Sequence, residues 1–179
     1  LYCSTFKNYE KNEFKYSKIV SKKINVPLNK VELDKSFFFK NIDKSIYHLD
    51  EPLNHPHSLA ILQISLKAKK KVSVMLAGEG ADELFFGYER YLKILRSKSN
   101  ISMIKNGAFL RTKDDLKLFK IFEKKDFGDP HQNRLKILDK IEVRNKIKKF
   151  QIFETKTHLQ SLLLRSDKMM MANSIEARV

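Results

Sequence analysis

The sequence predicts an α/β fold with a parallel, doubly wound sheet, followed by a mainly helical part. Over residues 1–96, short apolar β-type runs alternate with helical segments, which is typical of parallel sheets. From residue 97 onward the sequence turns lysine-rich and helical in its periodicity, with breaks at Gly107, Gly128 and Pro130. We therefore expect an α/β part at 1–96 and a mainly helical part at 97–179.

Hydrophobic spacing places the individual elements of the α/β part. Apolar runs predict strands at 1–6 and 30–33 and a buried strand at 72–76. Helical periodicity predicts helices at 10–24, 37–47, 59–69 and 81–96, with Ser58 as the cap of the third and a loop at 50–56. The residues expected on the inward faces of the first three helices are Tyr16, Ile19, Val20 and Ile24, then Phe38, Ile42 and Ile46, then Leu59, Leu62 and Leu66.

Composition narrows the class of protein. With 179 residues, 42% of them hydrophobic, the chain can bury one core and is not a disordered polymer. No apolar run approaches the roughly 20 residues that span a bilayer, and the first residues do not resemble a signal peptide. The single cysteine, Cys3, excludes an internal disulfide framework and suits the cytoplasm.

The net charge of +15 raises the question of nucleic-acid binding. The lysines are spread along the chain rather than gathered in one stripe, and neither zinc-finger spacing nor an RNA-recognition motif occurs. We expect no specific nucleic-acid partner, only weak, salt-sensitive and incidental binding to polyanions.

The densest motif is AGEGADELFFGYERY, residues 77–91. It joins the strand at 72–76 to a helix through a glycine-rich turn, the place where phosphate-containing ligands bind in open α/β sheets. Carboxylates repel phosphate, so Glu79, Asp82 and Glu83 at this point imply a bridging cation, with magnesium the best candidate. The alternative is structural: acidic residues in a first helical turn favour the helix dipole, and glycines commonly form tight turns.

This motif resembles the S-G-E-G-x-D-E-x-F-x-G-Y signature of the synthetase domain of asparagine synthetases. A second segment, LLLRSDKMMMANSIEARV at 162–179, is similar to the L-x-x-x-D-R-M-x-M-A-x-S-x-E-A-R-V segment of the same family, and Asp50-Glu51-Pro52 matches a third block. The resemblance implies an ATP-pyrophosphatase fold of the adenine-nucleotide α-hydrolase type. It also implies ATP-dependent adenylation of the aspartate side-chain carboxylate, followed by displacement of AMP by ammonia derived from glutamine.

The resemblance assigns roles residue by residue. Asp82 matches the magnesium-binding aspartate, with Glu83 a weaker metal candidate that has a supporting or capping role as its alternative. Glu79 matches the glutamate that helps to form the intermediate and handles a proton as ammonia attacks. The resemblance also implies that Ala77, Gly78 and Gly80 contact ATP, with alanine at 77 in place of the family's serine. It places Phe6, beside Thr5, at the adenine. Arg165 and Lys168 are implied to face phosphate or carboxylate groups.

Several of these roles have structural alternatives. Phe6 can be an ordinary strand residue, and Arg165 with Lys168 can form an exposed basic helix face. Glu176 and Arg178 can form a structural ion pair rather than act in catalysis. Asp167 can pair with a neighbouring cation or position the site.

Parts of the family pattern are missing. The S-G-G-x-D-S-S pyrophosphate loop does not occur in these residues, and neither does a glutaminase domain. Cys3 does not match the glutaminase nucleophile, which is an amino-terminal residue of a separate domain. We therefore expect an internal piece of a longer enzyme that is inactive alone, with the oligomeric state open and a homodimer as one option.

Two other functions stay open. A β-lactam-synthetase-like enzyme or another amidotransferase would share the fold and the adenylation step but act on a different acid. Glu79 favours the asparagine branch, because β-lactam-forming relatives have tyrosine at that position. The third function is a non-catalytic basic α/β module that binds polyanions. His55 and His57 lack the partners of a zinc site.

Overall fold

A computed structural model describes residues 1–7, 9, 12–53, 55–107 and 130–179 of the chain. The described residues are mostly helical, with small parallel sheets. The strands are β1 (Tyr2–Phe6), β2 (Asn29–Leu33), β3 (Val74–Leu76) and β4 (Glu176–Arg178). The helices are α1 (Phe14–Lys23), α2 (Lys35–Leu49), α3 (His57–Ala68), α4 (Ala81–Phe85), α5 (Arg90–Leu95), α6 (Asn100–Gly107), α7 (Pro130–Asp139), α8 (Lys146–Lys156) and α9 (His158–Met171).

The chain divides into two compact units. Unit 1 consists of Leu1–Glu79 and Ser161–Val179, and unit 2 is Gly80–Gln160. The boundary predicted between residues 96 and 97 therefore falls inside unit 2.

Unit 1 contains both pairs of parallel strands. β1 pairs with β2 in the register Tyr2↔Asn29, and β3 pairs with β4 in the register Val74↔Glu176. Parallel strands need long crossovers, which α1 supplies between β1 and β2. The mixed α/β class is confirmed, and the doubly wound arrangement stays a prediction.

The core of unit 1 forms where α2, α3 and α9 bury their apolar residues with the end of β2. Its buried members are Leu33, Leu49, Leu59, Ala60, Leu62 and Met169. Asp34 is the N-cap of α2. Its Oδ1 accepts a hydrogen bond from the Phe37 amide at 2.7 Å, which satisfies an amide that has no partner within the helix. Leu59 and Leu62 are buried as expected, whereas Leu66 is 37% exposed.

Unit 2 has a second core, made from four helices and the segment after α7. Its buried members are Tyr91 and Ile94 of α5, Met103 and Ile104 of α6, Leu138 of α7, Ile141, and Phe150 and Phe153 of α8. The structure describes α6 as far as Gly107 and α7 from Pro130 onward, so the breaks predicted at these two residues stay predictions. The predicted break at Gly128 lies outside the described residues.

Two predictions are wrong for helices of unit 1, namely the buried face of α1 and the N-cap of α3. The helix expected at 10–24 covers Phe14–Lys23, and residues 10 and 11 lie outside the described part. Its expected inward face is exposed, because α1 packs beside β1 without burying any of its residues. The exposed fractions are 59% for Tyr16, 64% for Ile19, 50% for Val20 and 51% for Ile24. Ser58 does not cap α3; it lies inside the helix, after Pro56 at the cap position.

Two predictions around the glycine-rich motif are also wrong. The strand expected to be buried at 72–76 spans only Val74–Leu76, with Val74 47% and Leu76 85% exposed. These two side chains share one face of the sheet, because residues two apart in a strand point the same way. The single helix expected at 81–96 is two helices, because Phe86 adopts a left-handed conformation with φ of 60°.

Candidate active site

The Ala77-Gly78-Glu79 turn begins directly at the carboxyl end of β3 in unit 1. The Ala77 amide donates to the Arg178 carbonyl at 2.7 Å, which continues the β3–β4 pairing by one residue and fixes the start of the turn. A Cβ placed on Gly78 would meet no atom within 4 Å. The backbone at Gly78 therefore borders open space, so a ligand can approach it closely.

Glu79 lies beside a cation from a distant part of the sequence. Its Oε1 is 3.9 Å from Nη2 of Arg165 on α9, and only 10% of the Arg165 side chain is exposed. Burial lowers the pKa of His57, and the positive charge of the Arg165 guanidinium lowers it further. The structure thus brings together two of the predicted catalytic residues, Glu79 and Arg165.

A cavity of about 400 Å³ opens beside this pair, within unit 1. Ala77, Gly78 and Glu79 form one wall, and Ser166 of α9 lies on another. The rest of the lining is largely apolar: Tyr2, Ile61, Ile64, Met75, Leu76 and Met170. A mostly apolar cavity with a few convergent polar groups is the usual form of a small-molecule site.

Lys168, the third predicted catalytic residue, has a different environment. Its Nζ donates to the Leu49 carbonyl at 2.6 Å and to Oδ2 of Asp50 at 2.8 Å. It therefore binds the carboxyl end of α2, where a cation complements the helix dipole. This hydrogen-bonded ion pair holds the pKa of Asp50 below its ordinary value.

The backbone of Phe6, the predicted adenine contact, is already hydrogen-bonded. Its amide donates to Oδ1 of Asn12 at 2.9 Å, and its carbonyl accepts from Nδ2 of the same residue at 2.9 Å. The Phe6 ring packs edge-on against Tyr9 and His57. These contacts favour the alternative role of Phe6 as an ordinary strand residue.

In unit 2, the predicted metal ligand Asp82 lies in the first turn of α4. The helix begins after Gly80, whose φ of 91° is a left-handed conformation that glycine adopts most readily. The exposed Asp82 packs against Gly87, where an added Cβ would come within 1.9 Å of the carboxylate Oδ1. Gly87 therefore makes room for the observed position of the carboxylate.

Glu83 points into the interior of unit 2. It is 1% exposed, and its Oε1 accepts a hydrogen bond from the Tyr88 hydroxyl at 2.8 Å. Burial, followed by this hydrogen bond, raises the pKa of Tyr88. His158 Nε2 lies 3.8 Å away, but burial lowers the pKa of His158, so a neutral imidazole faces Glu83 at neutral pH. This environment favours the supporting role of Glu83 over metal binding.

The residues fit magnesium only in part. In the segments that the structure describes, no three His, Cys, Asp or Glu side chains gather as a metal site. The exposed Asp82 carboxylate can supply one oxygen ligand, which suits an ion that takes its other ligands from water and substrate phosphates.

Sequence reasoning missed a buried polar cluster in unit 2. Glu154 of α8 is 1% exposed, forms an ion pair with Arg90, and accepts a hydrogen bond from the Tyr91 hydroxyl at 3.1 Å. Arg134 Nη2 lies 3.9 Å from its other oxygen. No local pattern signals this cluster, because Glu154 lies on a lysine-rich helix and its partners lie far away in sequence.

The other candidate residues have structural surroundings. Glu176 and Arg178 form an ion pair on β4 with both side chains substantially exposed, consistent with the structural alternative. Asp167 is exposed and makes no ion pair within the described ranges. Cys3 is half-buried, and the Ser17 hydroxyl lies 3.3 Å from its Sγ.

No helix in the described part of the chain combines the length and apolarity needed to cross a membrane.

Comparison with known proteins identifies the family. The family model for asparagine synthase matches residues 1–179. The chain is 29% identical over 177 residues to "Asparagine synthetase [glutamine-hydrolyzing] 1" of Bacillus subtilis (strain 168), an alignment that covers 79% of this chain and 28% of that protein. It is 41% identical over 54 residues to a "Putative asparagine synthetase [glutamine-hydrolyzing]" of Mycobacterium bovis, covering 30% of this chain and 8% of the relative.

A protein of the same description from Mycobacterium tuberculosis matches to the same extent, 41% over 54 residues. The chain thus spans less than a third of the length of these relatives. Since the family model covers every residue, and the glycine-rich turn of its signature lies beside the Glu79–Arg165 pair, this chain belongs to the asparagine synthase family.

Proposed function

We propose that this chain carries part of an ATP-dependent ligase that activates the side-chain carboxylate of aspartate and converts it to an amide. The observation that supports this most is the Glu79–Arg165 pair beside the open Gly78 backbone, at the edge of the cavity after β3. The carboxyl end of a parallel strand is where α/β enzymes bind nucleotides.

The proposed reaction has two steps. A carboxylate oxygen of aspartate attacks the α-phosphorus of ATP, and the bond to pyrophosphate breaks. Ammonia then attacks the acyl carbon and AMP leaves, so the attacking nitrogen must lose a proton. Glu79 is our proposed acceptor of that proton, and Arg165 is proposed to orient its carboxylate.

The nucleotide contacts are proposed for Ala77, Gly78 and Gly80. At Ala77 a serine hydroxyl of the family pattern is replaced by a methyl group, so the contact there would come from the backbone. Magnesium bound at Asp82 would neutralise charge on the pyrophosphate. Glu83, which is buried in unit 2, would support α4 rather than touch the ion.

The remaining assignments concern the whole protein. We propose glutamine as the source of ammonia, released in a glutaminase domain outside this chain, as the names of the relatives suggest. The cytoplasm is the proposed location, supported by the single cysteine. The piece described here is proposed to be inactive alone.

The test is the acid dependence of pyrophosphate release by the whole protein that contains this sequence. With ATP, magnesium and ammonia, we expect pyrophosphate release to require aspartate. Formation of the amide product should fall by at least about 100-fold in Glu79→Gln, which removes the proton acceptor of the second step. Glu89→Gln, at an exposed position in unit 2, is the matched control and should retain activity. Release with a different acid would contradict the proposed substrate.

A further inference from the structure

Ser166 carries a buried hydroxyl that has no partner in the described part of the chain. The residue is 1% exposed, and its Oγ makes no hydrogen bond there. A buried hydroxyl that leaves water without gaining a partner is unfavourable, so such groups are uncommon in folded proteins.

Several hydroxyls on the helices, or just after their last turn, find partners. Ser65 donates to the Leu62 carbonyl at 3.0 Å, Ser97 to the Lys93 carbonyl at 3.1 Å, and Thr157 to the Phe153 carbonyl at 2.8 Å. Each satisfies its hydroxyl on the preceding helical turn. Ser166 lies in the middle of α9, where the same bond to the preceding turn is the usual solution, and it does not make it.

The position of Ser166 indicates what its hydroxyl can bind. It lines the cavity of about 400 Å³ whose other polar wall is Ala77, Gly78 and Glu79. A ligand bound in that cavity lies near both Ser166 and Glu79, the proposed proton acceptor.

The residues that line the cavity indicate which part of a ligand binds there. The Glu79 carboxylate on this wall disfavours a phosphate and favours a group that donates hydrogen bonds. Ile61, Ile64 and Met170 offer an apolar surface to carbon-bound hydrogens. A sugar ring combines both properties, since its hydroxyls donate and accept while its carbon face is apolar.

We propose that Ser166 is a ligand-binding residue that hydrogen-bonds a ribose hydroxyl of the nucleotide in this cavity. The inference rests on the proposed use of ATP by this site. Because residue 77 is alanine and has no hydroxyl, Ser166 is a residue of the cavity lining that can supply one.

The experiment measures binding of ATP, 2′-deoxyATP and 3′-deoxyATP to the whole protein by titration calorimetry with magnesium. One ordinary hydrogen bond corresponds to a change of about threefold to tenfold in Kd. We expect Ser166→Ala to weaken ATP binding by this factor. At least one deoxy analogue should bind wild type more weakly than ATP, and this difference should disappear in Ser166→Ala.

Ser58→Ala is the matched control. Ser58 is also a helical serine, 0% exposed, with a hydroxyl that lacks a partner in the described residues, but it does not line the cavity. It should leave all three Kd values unchanged. The inference is overturned if wild type and Ser166→Ala bind ATP with equal Kd. It is also overturned if the loss of affinity from ATP to each deoxy analogue is the same in both proteins.

The binding readout separates this inference from the proposed activity. If ATP binds through Ser166 but aspartate causes no pyrophosphate release, the proposed activity alone is wrong. If aspartate-dependent release occurs and Ser166→Ala binds ATP normally, this inference alone is wrong. A wild-type protein that binds no ATP overturns both.

Discussion

The position of the Asp82 carboxylate depends on the absence of a side chain at Gly87. The Gly87 amide donates to the Asp82 carbonyl at 3.0 Å, which closes the turn after α4. An added Cβ would lie 1.9 Å from Oδ1 and 2.9 Å from Cγ of Asp82. A side chain at residue 87 therefore cannot coexist with the observed carboxylate position.

We predict that Gly87→Ala lowers the free energy of unfolding by about 1 kcal/mol, because the added Cβ displaces the exposed Asp82 carboxylate and approaches the Asp82 backbone. Gly78→Ala is the control, since a Cβ there meets no atom within 4 Å. Its free energy of unfolding should stay within about 0.5 kcal/mol of wild type. Denaturant titration measures both, and equal values for the two variants would contradict this account of Gly87.

His158 predicts a pH dependence of stability. Burial lowers its pKa in the folded protein, so between that value and about 6.5 the unfolded chain binds a proton that the folded chain does not. Stability should therefore fall as the pH drops below about 6.5. Denaturation midpoints measured from pH 8 to pH 5 should decline less steeply for His158→Gln. Parallel curves for the two proteins would be inconsistent with a neutral buried imidazole.

At the scale of elements, Glu154 connects three helices of unit 2. From α8 it contacts Arg90 and Tyr91 of α5, and Arg134 of α7 lies close by. Burial, and then the charge of Glu154, raises the pKa of Tyr91, which keeps its hydroxyl protonated as the donor. The cluster therefore fixes the positions of these helices through polar contacts inside a largely apolar core.

We predict that Glu154→Ala destabilises the protein by about 3–5 kcal/mol, because it removes a buried carboxylate from beside two cations, Arg90 and Arg134. The Arg90 side chain is only 12% exposed, so solvent compensates little. Glu142→Ala, at an exposed position in the same unit, should change stability by less than about 0.5 kcal/mol. Similar effects of the two substitutions in thermal and chemical unfolding would refute the role of the cluster.

Elements were predictable from the sequence where local signals decide them. The helices at 35–49 and 57–68 follow from apolar periodicity, and the strands at 2–6 and 29–33 from short apolar runs. Exposure was less predictable, because it depends on what packs against an element, as Leu76 and the apolar face of α1 demonstrate. The break after Phe85 coincides with the left-handed conformation of Phe86, which no periodicity encodes.

At the scale of the whole molecule, the family and the candidate residues could be predicted from motifs, but not their partners. The glycine-rich turn and the segment at 162–179 identify the asparagine synthase family. The tertiary packing of α9 decides that Arg165 lies beside Glu79 and that Lys168 binds the end of α2. Ser166 carried no sequence signal, because only its burial beside the cavity distinguishes it from other serines.

The central claim is that the turn after β3 serves aspartate activation with magnesium at Asp82. The most direct measurement is pyrophosphate release from ATP and magnesium by the whole protein, with and without aspartate, for wild type, Asp82→Asn and the control Asp139→Asn. We predict aspartate-dependent release in wild type and Asp139→Asn, and at least about a 100-fold loss in Asp82→Asn, since a carboxylate ligand and its charge are removed. Aspartate-dependent release that persists undiminished in Asp82→Asn, or no release in wild type with aspartate, would contradict the account.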